Sequence, residues 1–189
     1  NGSEDTYWFL GGYYKKDQAD KDFQPFHKTL QTQVQGTSYP TTYLTHTDAG
    51  VMFDQMTIYD WIERYVPGGH GSRMGRLLDA AYNIEYGAET KDQAALNLMY
   101  LLAYQAAPGN FLIYGASDER FHIAGGNEQL PNAIADYVGR QNVNLGWAMQ
   151  SIKTNADGTV SMQFSTPGKR QTVTADHVIL ALPFAVLRT

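Results

Sequence analysis

Near the C-terminal end stands Val178-Ile179-Leu180-Ala181-Leu182, an apolar run with no polar position inside it. A strand with one wet face alternates apolar and polar side chains, whereas a strand covered on both faces reads as a continuous apolar run. The run therefore predicts a strand buried in a parallel or mixed sheet, and restricts the chain to folds that contain one. Left open, an edge of this composition pairs with other chains or aggregates, so a homodimer or additional covering chain is expected. The residues before it read as short strands. Asp157-Gly158 lies between residues 148–153 and 159–164 and is a two-residue hairpin signal, and Pro167-Gly168 marks a second turn before residues 171–174. A three-strand meander feeding a buried strand is the expected C-terminal organisation.

The N-terminal half has a different period. Thr57-Ile58-Tyr59-Asp60 places a hydroxyl at the N-cap and an acid at N3, and Ile58, Trp61, Ile62 and Tyr65 follow at helical spacing before Pro67-Gly68-Gly69. A second helix is predicted from about 72 to 84, with Met74, Leu77, Leu78, Ala81 and Ile84 on one face. Thr90-Lys91-Asp92-Gln93 reads as a capping box opening a third, with Ala94, Leu98, Leu101 and Leu102 on its apolar side. Residues 1–50 show no sustained period and read as loops with a short helix or two. Further on, a helix containing Pro131 is predicted to close at Gly139. The Gly125-Gly126 pair before it marks a place where backbone approaches something closely.

Composition narrows the function classes. The chain has 189 residues, 43% hydrophobic and 17% charged, enough for a folded core. Its 14 Lys and Arg against 19 Asp and Glu give a net charge of -5 without basic clusters, which argues against nucleic acid as a partner. With no cysteine there are no disulfides or thiolate metal sites. No segment approaches the ~18 apolar residues of a membrane span. Aromatic content is high, with 13 Tyr, 8 Phe and 3 Trp, and tyrosine suits pockets and interfaces that are apolar with polar tips.

Local motifs for chemistry are few. Gly69-His70-Gly71-Ser72-Arg73-Met74-Gly75 has the composition of a dinucleotide loop, but a helix and a proline precede it instead of a strand, so it reads as a helix-to-helix turn. His27, His46, His70, His122 and His177 show no metal-ligand spacing. Neither a G-x-S-x-G elbow nor a cysteine nucleophile is present. Asp118 and Glu119 are adjacent, and neighbours in extended chain point oppositely, which disfavours a paired acid and base. No catalytic residue and no metal ligand is assigned.

Four stretches taken in order carry a family likeness: Phe53-Asp54-Gln55-Met56-Thr57 before one helix, Tyr86-Gly87-Ala88-Glu89-Thr90 before another, residues 117–127, and Ala175-Asp176-His177 running into the apolar run and Pro183. Over about residues 54–188 the chain resembles the flavin-containing amine oxidases, most nearly the bacterial flavin monoamine oxidases. The resemblance implies an α+β fold: a mostly helical portion of the substrate-binding domain over 1–123, then a segment of a glutathione-reductase-like FAD-binding domain over 124–189, with Gly125-Gly126 at the crossover. It implies a parent that uses FAD to oxidise a primary amine to an imine, hydrolysed to aldehyde and ammonia, with hydrogen peroxide released.

The family's opening G-x-G-x-x-G, its later lysine, the aromatic pair facing the flavin and the C-terminal flavin segment find no match here. The chain is therefore expected to be a fragment that neither holds FAD nor turns over substrate alone, and that works with the remainder of the parent flavoprotein. By resemblance, Met149 and Ala181, Leu182 and Pro183 face the cofactor, while Leu77, Ala81, Ile84, Glu119 and Arg120 line the substrate side. Leu77, Ala81 and Ile84 read equally well as helix core. If Arg120 pairs with a substrate carboxylate, the parent is an L-amino-acid oxidase. A non-catalytic domain binding a ligand or protein through its aromatic surface is the remaining alternative. Export signals in the family imply a periplasmic parent, with a cytoplasmic one left open.

Overall fold

Residues 5–118 and 120–187 are described by the computed structural model, and contacts divide the chain into two units, Asn1–Arg120 and Phe121–Thr189. The architecture is α+β, as expected, with helices concentrated in the first unit and a small antiparallel sheet in each.

The first unit opens with a hairpin. Strands β1 (Thr6–Phe9) and β2 (Gly12–Lys15) pair antiparallel through a two-residue turn, in which Leu10 and Gly11 both take positive φ (51° and 72°). That geometry matches the right-handed twist of the strands. Helix α1 (Lys16–Thr37) follows, where loops with short helices were expected. Its buried Ala19, Phe23, Phe26 and Leu30 recur at helical spacing, but polar residues and Pro25 separate them. Pro25 is exposed, so the carbonyl that loses its amide donor faces water instead of the core, and the helix continues through it.

Helix α2 (Asp48–Gln55) is capped by Thr47, and α3 (Ile58–Tyr65) by Thr57, whose Oγ1 accepts the Asp60 N–H at 3.0 Å as the capping pattern predicts. A 3-10 turn, Gly69–Gly71, leads to α4 (Arg73–Tyr86), capped by Ser72 and closed by Gly87 in the left-handed region. The third predicted cap does not form. Residues 90–92 make a 3-10 turn and α5 (Ala95–Leu102) starts later, because Thr57 and Ala94 pair as an antiparallel bridge, with Ile58 N–H on Gln93 O at 3.0 Å and Ala95 N–H on Met56 O at 2.8 Å. Extended backbone at 93–94 cannot also be the first turn of a helix. The unit's core gathers around Trp61, fully buried, whose indole N–H donates to Gln33 Oε1 at 2.9 Å. Phe26 packs edge-on to it. Strand β3 (Ile113–Ala116) lies near the end of the unit.

In the second unit, α6 (Gln129–Val138) begins two residues before Pro131 and ends at Gly139, which takes the positive φ that suits glycine there. Strands β4 (Ala148–Thr154), β5 (Val160–Thr166) and β6 (Lys169–Ala175) form the expected meander in the order β4-β5-β6. The first connection is not a two-residue turn: Asn155 and Thr159 bond across a loop of Ala156, Asp157 and Gly158, with Gly158 at φ 86°. The second is a two-residue turn, Pro167-Gly168, between the paired Thr166 and Lys169.

The buried strand is not there. Residues 178–182 form neither helix nor strand, and Ile179 is 93% exposed, ahead of the short helix α7 (Phe184–Leu187). A double-faced strand requires pairing partners and cover on both sides, and the sheet of this unit ends at β4 and β6. Burial is sparse throughout the unit. Among its described residues only Met162 is a buried apolar side chain, and α6 buries none, its Tyr137 being 92% exposed.

Candidate functional site

Helix α4 separates the three substrate-side residues expected on it. Leu77 and Ala81 are buried in the core, whereas Ile84 is 77% exposed. At about 100° per residue, the buried arc of α4 runs from Leu77 through Ala81, Met74, Leu78 and Tyr82 to Gly75, and Ile84 falls about 20° beyond its edge. The chain thus places Leu77 and Ala81 together as core, and leaves Ile84 outside it.

Arg120 lies near the end of the first unit with its guanidinium engaged. Nε donates to Asp118 Oδ1 at 2.7 Å and a terminal nitrogen donates to Oδ2 at 2.6 Å, a fork-to-carboxylate pair. Those bonds hold the Asp118 carboxyl below its ordinary range and raise the guanidinium further. Glu119, also expected on the substrate side, lies outside the described residues.

The residues expected on the cofactor side sit in the second unit. Met149 pairs with Phe164 on β5, and the register then slips, because Ser151 pairs with Gln163 and Gln150 is the extra residue of a bulge. Bulges bend a strand and redirect the neighbouring side chains. Ala181, Leu182 and Pro183 are exposed and lie beyond the sheet, whose order leaves β4 paired only with β5.

Two arrangements in the first unit escaped the sequence reading. One is a polar cluster at the α3–α4 junction. His70 is buried, its Nδ1 2.6 Å from Glu63 Oε1, and its backbone N–H donates to the same oxygen at 3.0 Å. Its Nε2 stands 3.5 Å from Asp79 Oδ1, an electrostatic contact without a hydrogen bond. The imidazole stacks on Tyr59 at 4.0 Å, and Thr90 Oγ1 donates to Asp79. The backbone N–H and then the imidazole hold the Glu63 carboxyl below its ordinary range. No spacing rule announces such a cluster, because a turn and not a helix face brings Glu63 to His70. It ties four elements together, α3, the turn at 69–71, α4 and the turn at 90–92, and among the described residues no group of three or more His, Asp or Glu has metal-holding geometry.

The other is a cavity of about 490 Å³ walled by Tyr39, Tyr86, Tyr100 and Tyr104 with Val34 and Leu101. Its volume falls in the range of small-molecule sites. The tyrosines come from the chain after α1, the end of α4, helix α5 and the turn after it. The only sequence signal was the abundance of tyrosine.

The family model described as flavin containing amine oxidoreductase matches residues 8–189. The chain belongs to the flavin-containing amine oxidoreductases. No solved structure matches it. For an amine oxidoreductase that uses FAD, the test is whether the residues present suit a dinucleotide, whose pyrophosphate needs backbone N–H groups and open space at a helix start. The glycine turn before α4 does not. A Cβ on Gly75 would stand 2.0 Å from Gly69 O, and the Gly75 N–H is already taken by Ser72 Oγ at 3.0 Å. Residues 181–183 are exposed, and the carbonyl of Pro183 already accepts the amides of Val186 and Leu187 at 2.9 and 3.2 Å. Among the described residues of this amine oxidoreductase chain, the turn before α4 does not form a pyrophosphate cradle.

Proposed function

We propose that this chain serves an FAD-dependent amine oxidase, within a parent flavoprotein that passes a hydride from a primary amine to the flavin to give an imine, which water hydrolyses to aldehyde and ammonia, while dioxygen reoxidises the reduced flavin and leaves as hydrogen peroxide. The family match over residues 8–189 is the observation that carries this reading. In it, residues 1–123 belong to the substrate-binding domain and 124–189 to the FAD-binding domain. Met149, Ala181, Leu182 and Pro183 meet the cofactor, an assignment supported by the exposure of 181–183. Ile84, Glu119 and Arg120 face the substrate side, while Leu77 and Ala81 act from the core by fixing α4. The cofactor surface is completed by residues other than those described, and the uncovered apolar residues of the second unit support a partner segment or second copy over them.

The amino-acid oxidase alternative requires Arg120 to exchange Asp118 for the substrate's carboxylate, which their existing bidentate pair opposes.

Visible absorption tests the proposal. The purified chain, with and without FAD, is compared with the longest protein that carries it. Flavin bands in the longer protein that bleach anaerobically with a primary amine, and their absence from the chain alone, support the reading. A longer protein without bound flavin overturns it.

A further inference from the structure

The tyrosine-walled cavity has a chemistry of its own. The hydroxyls of three of its tyrosines are engaged within the protein. Tyr100 shares hydrogen bonds with Thr41 Oγ1 at 2.7 Å and Thr37 Oγ1 at 3.1 Å, Tyr86 donates to Asn97 O at 3.2 Å, and Tyr104 accepts from Gln105 at 3.4 Å. Besides the hydroxyl capacity left on Tyr39 and Tyr104, these residues offer a ligand their rings. Tyr39 and Tyr100 meet edge to face, with centroids 4.9 Å apart and planes at 77°, so they form a corner of two aromatic walls at nearly right angles. The remaining lining, Val34, Leu101, Ala103 and Gln105, carries no charge.

Among the lining residues no cationic side chain offers an anion a partner. A diffuse cation is different: ring faces attract it electrostatically, and a quaternary or heavily substituted ammonium has few N–H groups to leave unpaired. The surrounding charge has the right sign. Glu85 lies next to Tyr86 and, after burial, is the second influence raising that phenol's pKa, and the chain as a whole carries -5.

We infer that the corner formed by Tyr39 and Tyr100, closed by Tyr86 and Tyr104, is a binding site for an organic ammonium compound held by cation–π contact. The site lies wholly within the first unit and needs no flavin, so it stands or falls separately from the oxidase reading.

The test uses choline and its uncharged isostere 3,3-dimethylbutan-1-ol, titrated into the full chain and followed by NMR shifts of the Leu101 and Ala103 amides. Saturable binding of choline is expected, with the isostere weaker by about tenfold or more. Tyr39→Leu and Tyr104→Leu, at largely exposed positions, should each weaken choline binding by about threefold or more. Tyr39→Phe and Tyr104→Phe keep the ring and should retain affinity. Equal binding of the isostere would show a plain apolar groove and overturn the inference. So would the absence of a saturable shift, leucine variants that bind as the parent does, or phenylalanine variants as weak as the leucine ones. The circular dichroism of each variant shows whether it has kept its fold. A failure here leaves the flavin spectrum of the longer protein untouched.

Discussion

The carbonyl of Gly69 lies against the Cα of Gly75, so close that a Cβ on Gly75 would stand 2.0 Å from its oxygen. Backbone meets backbone there, and no side-chain rotation can relieve the contact. Gly75→Ala should therefore destabilise the chain by about 3 kcal/mol or more, measured by urea unfolding. Gly71, in the same turn, has nothing within 4 Å of its would-be Cβ and no positive φ, so Gly71→Ala should stay within about 0.5 kcal/mol of the parent. Equal costs at the two positions would contradict the packing of this turn.

Glu63 provides a pH signature. Its bonds from the His70 backbone and imidazole lower the folded-state pKa below the ordinary 4.5. The unfolded chain then binds the proton more readily, so this contribution is present above the ordinary value and is lost as pH falls through the lower, folded one. Melting temperature measured against pH for the parent and for Glu63→Gln should show the parent ahead at neutral pH, with the gap closing as pH falls below the ordinary 4.5. A gap independent of pH would remove the carboxylate from the account.

Gln93 is buried and its amide donates to two backbone carbonyls, Tyr82 O at 3.0 Å and Ala88 O at 2.6 Å. Gln93→Leu preserves bulk but removes the side-chain donor from both carbonyls. Guanidinium unfolding should show a loss of about 2 kcal/mol.

The elements legible in the sequence were those whose signals are local. Thr57 with Asp60 caps α3 through a contact three residues apart, and Pro167-Gly168 makes its turn from its own backbone preferences. Where tertiary pairing decided the outcome, local reading failed. Thr90 has the composition of a cap, yet it donates to Asp79 while the Thr57–Ala94 bridge keeps the chain extended past it. Helix α1 was obscured by Pro25, an interior breaker that proves harmless on a wet face. The tyrosine cavity was the hardest to foresee, because its walls come from residues as far apart as 34 and 105. Residues 178–182 carry the converse lesson: apolar character permits a buried strand but supplies none of its neighbours.

That last point has its own test. Ile179 would cost several kcal/mol to charge if it sat in a covered sheet, but in this fold it is exposed. Ile179→Asp should leave the melting temperature of the isolated chain unchanged while reducing its binding of the dye ANS. A large drop in melting temperature would restore the buried strand.

The meander pairs only consecutive strands. β4 meets β5 across a loop closed between Asn155 and Thr159, and β5 meets β6 across Pro167-Gly168, so each pairing closes only a few residues of chain. Closing short loops takes well under a microsecond and hairpins form in about 1–10 μs. The bridge from Thr57 to Ala94 must instead draw together residues separated by two helices. As a nascent polypeptide leaves the ribosome, the meander can therefore assemble as soon as residue 175 emerges, without waiting for a distant partner, whereas the helical unit's register depends on a slower, long-range search.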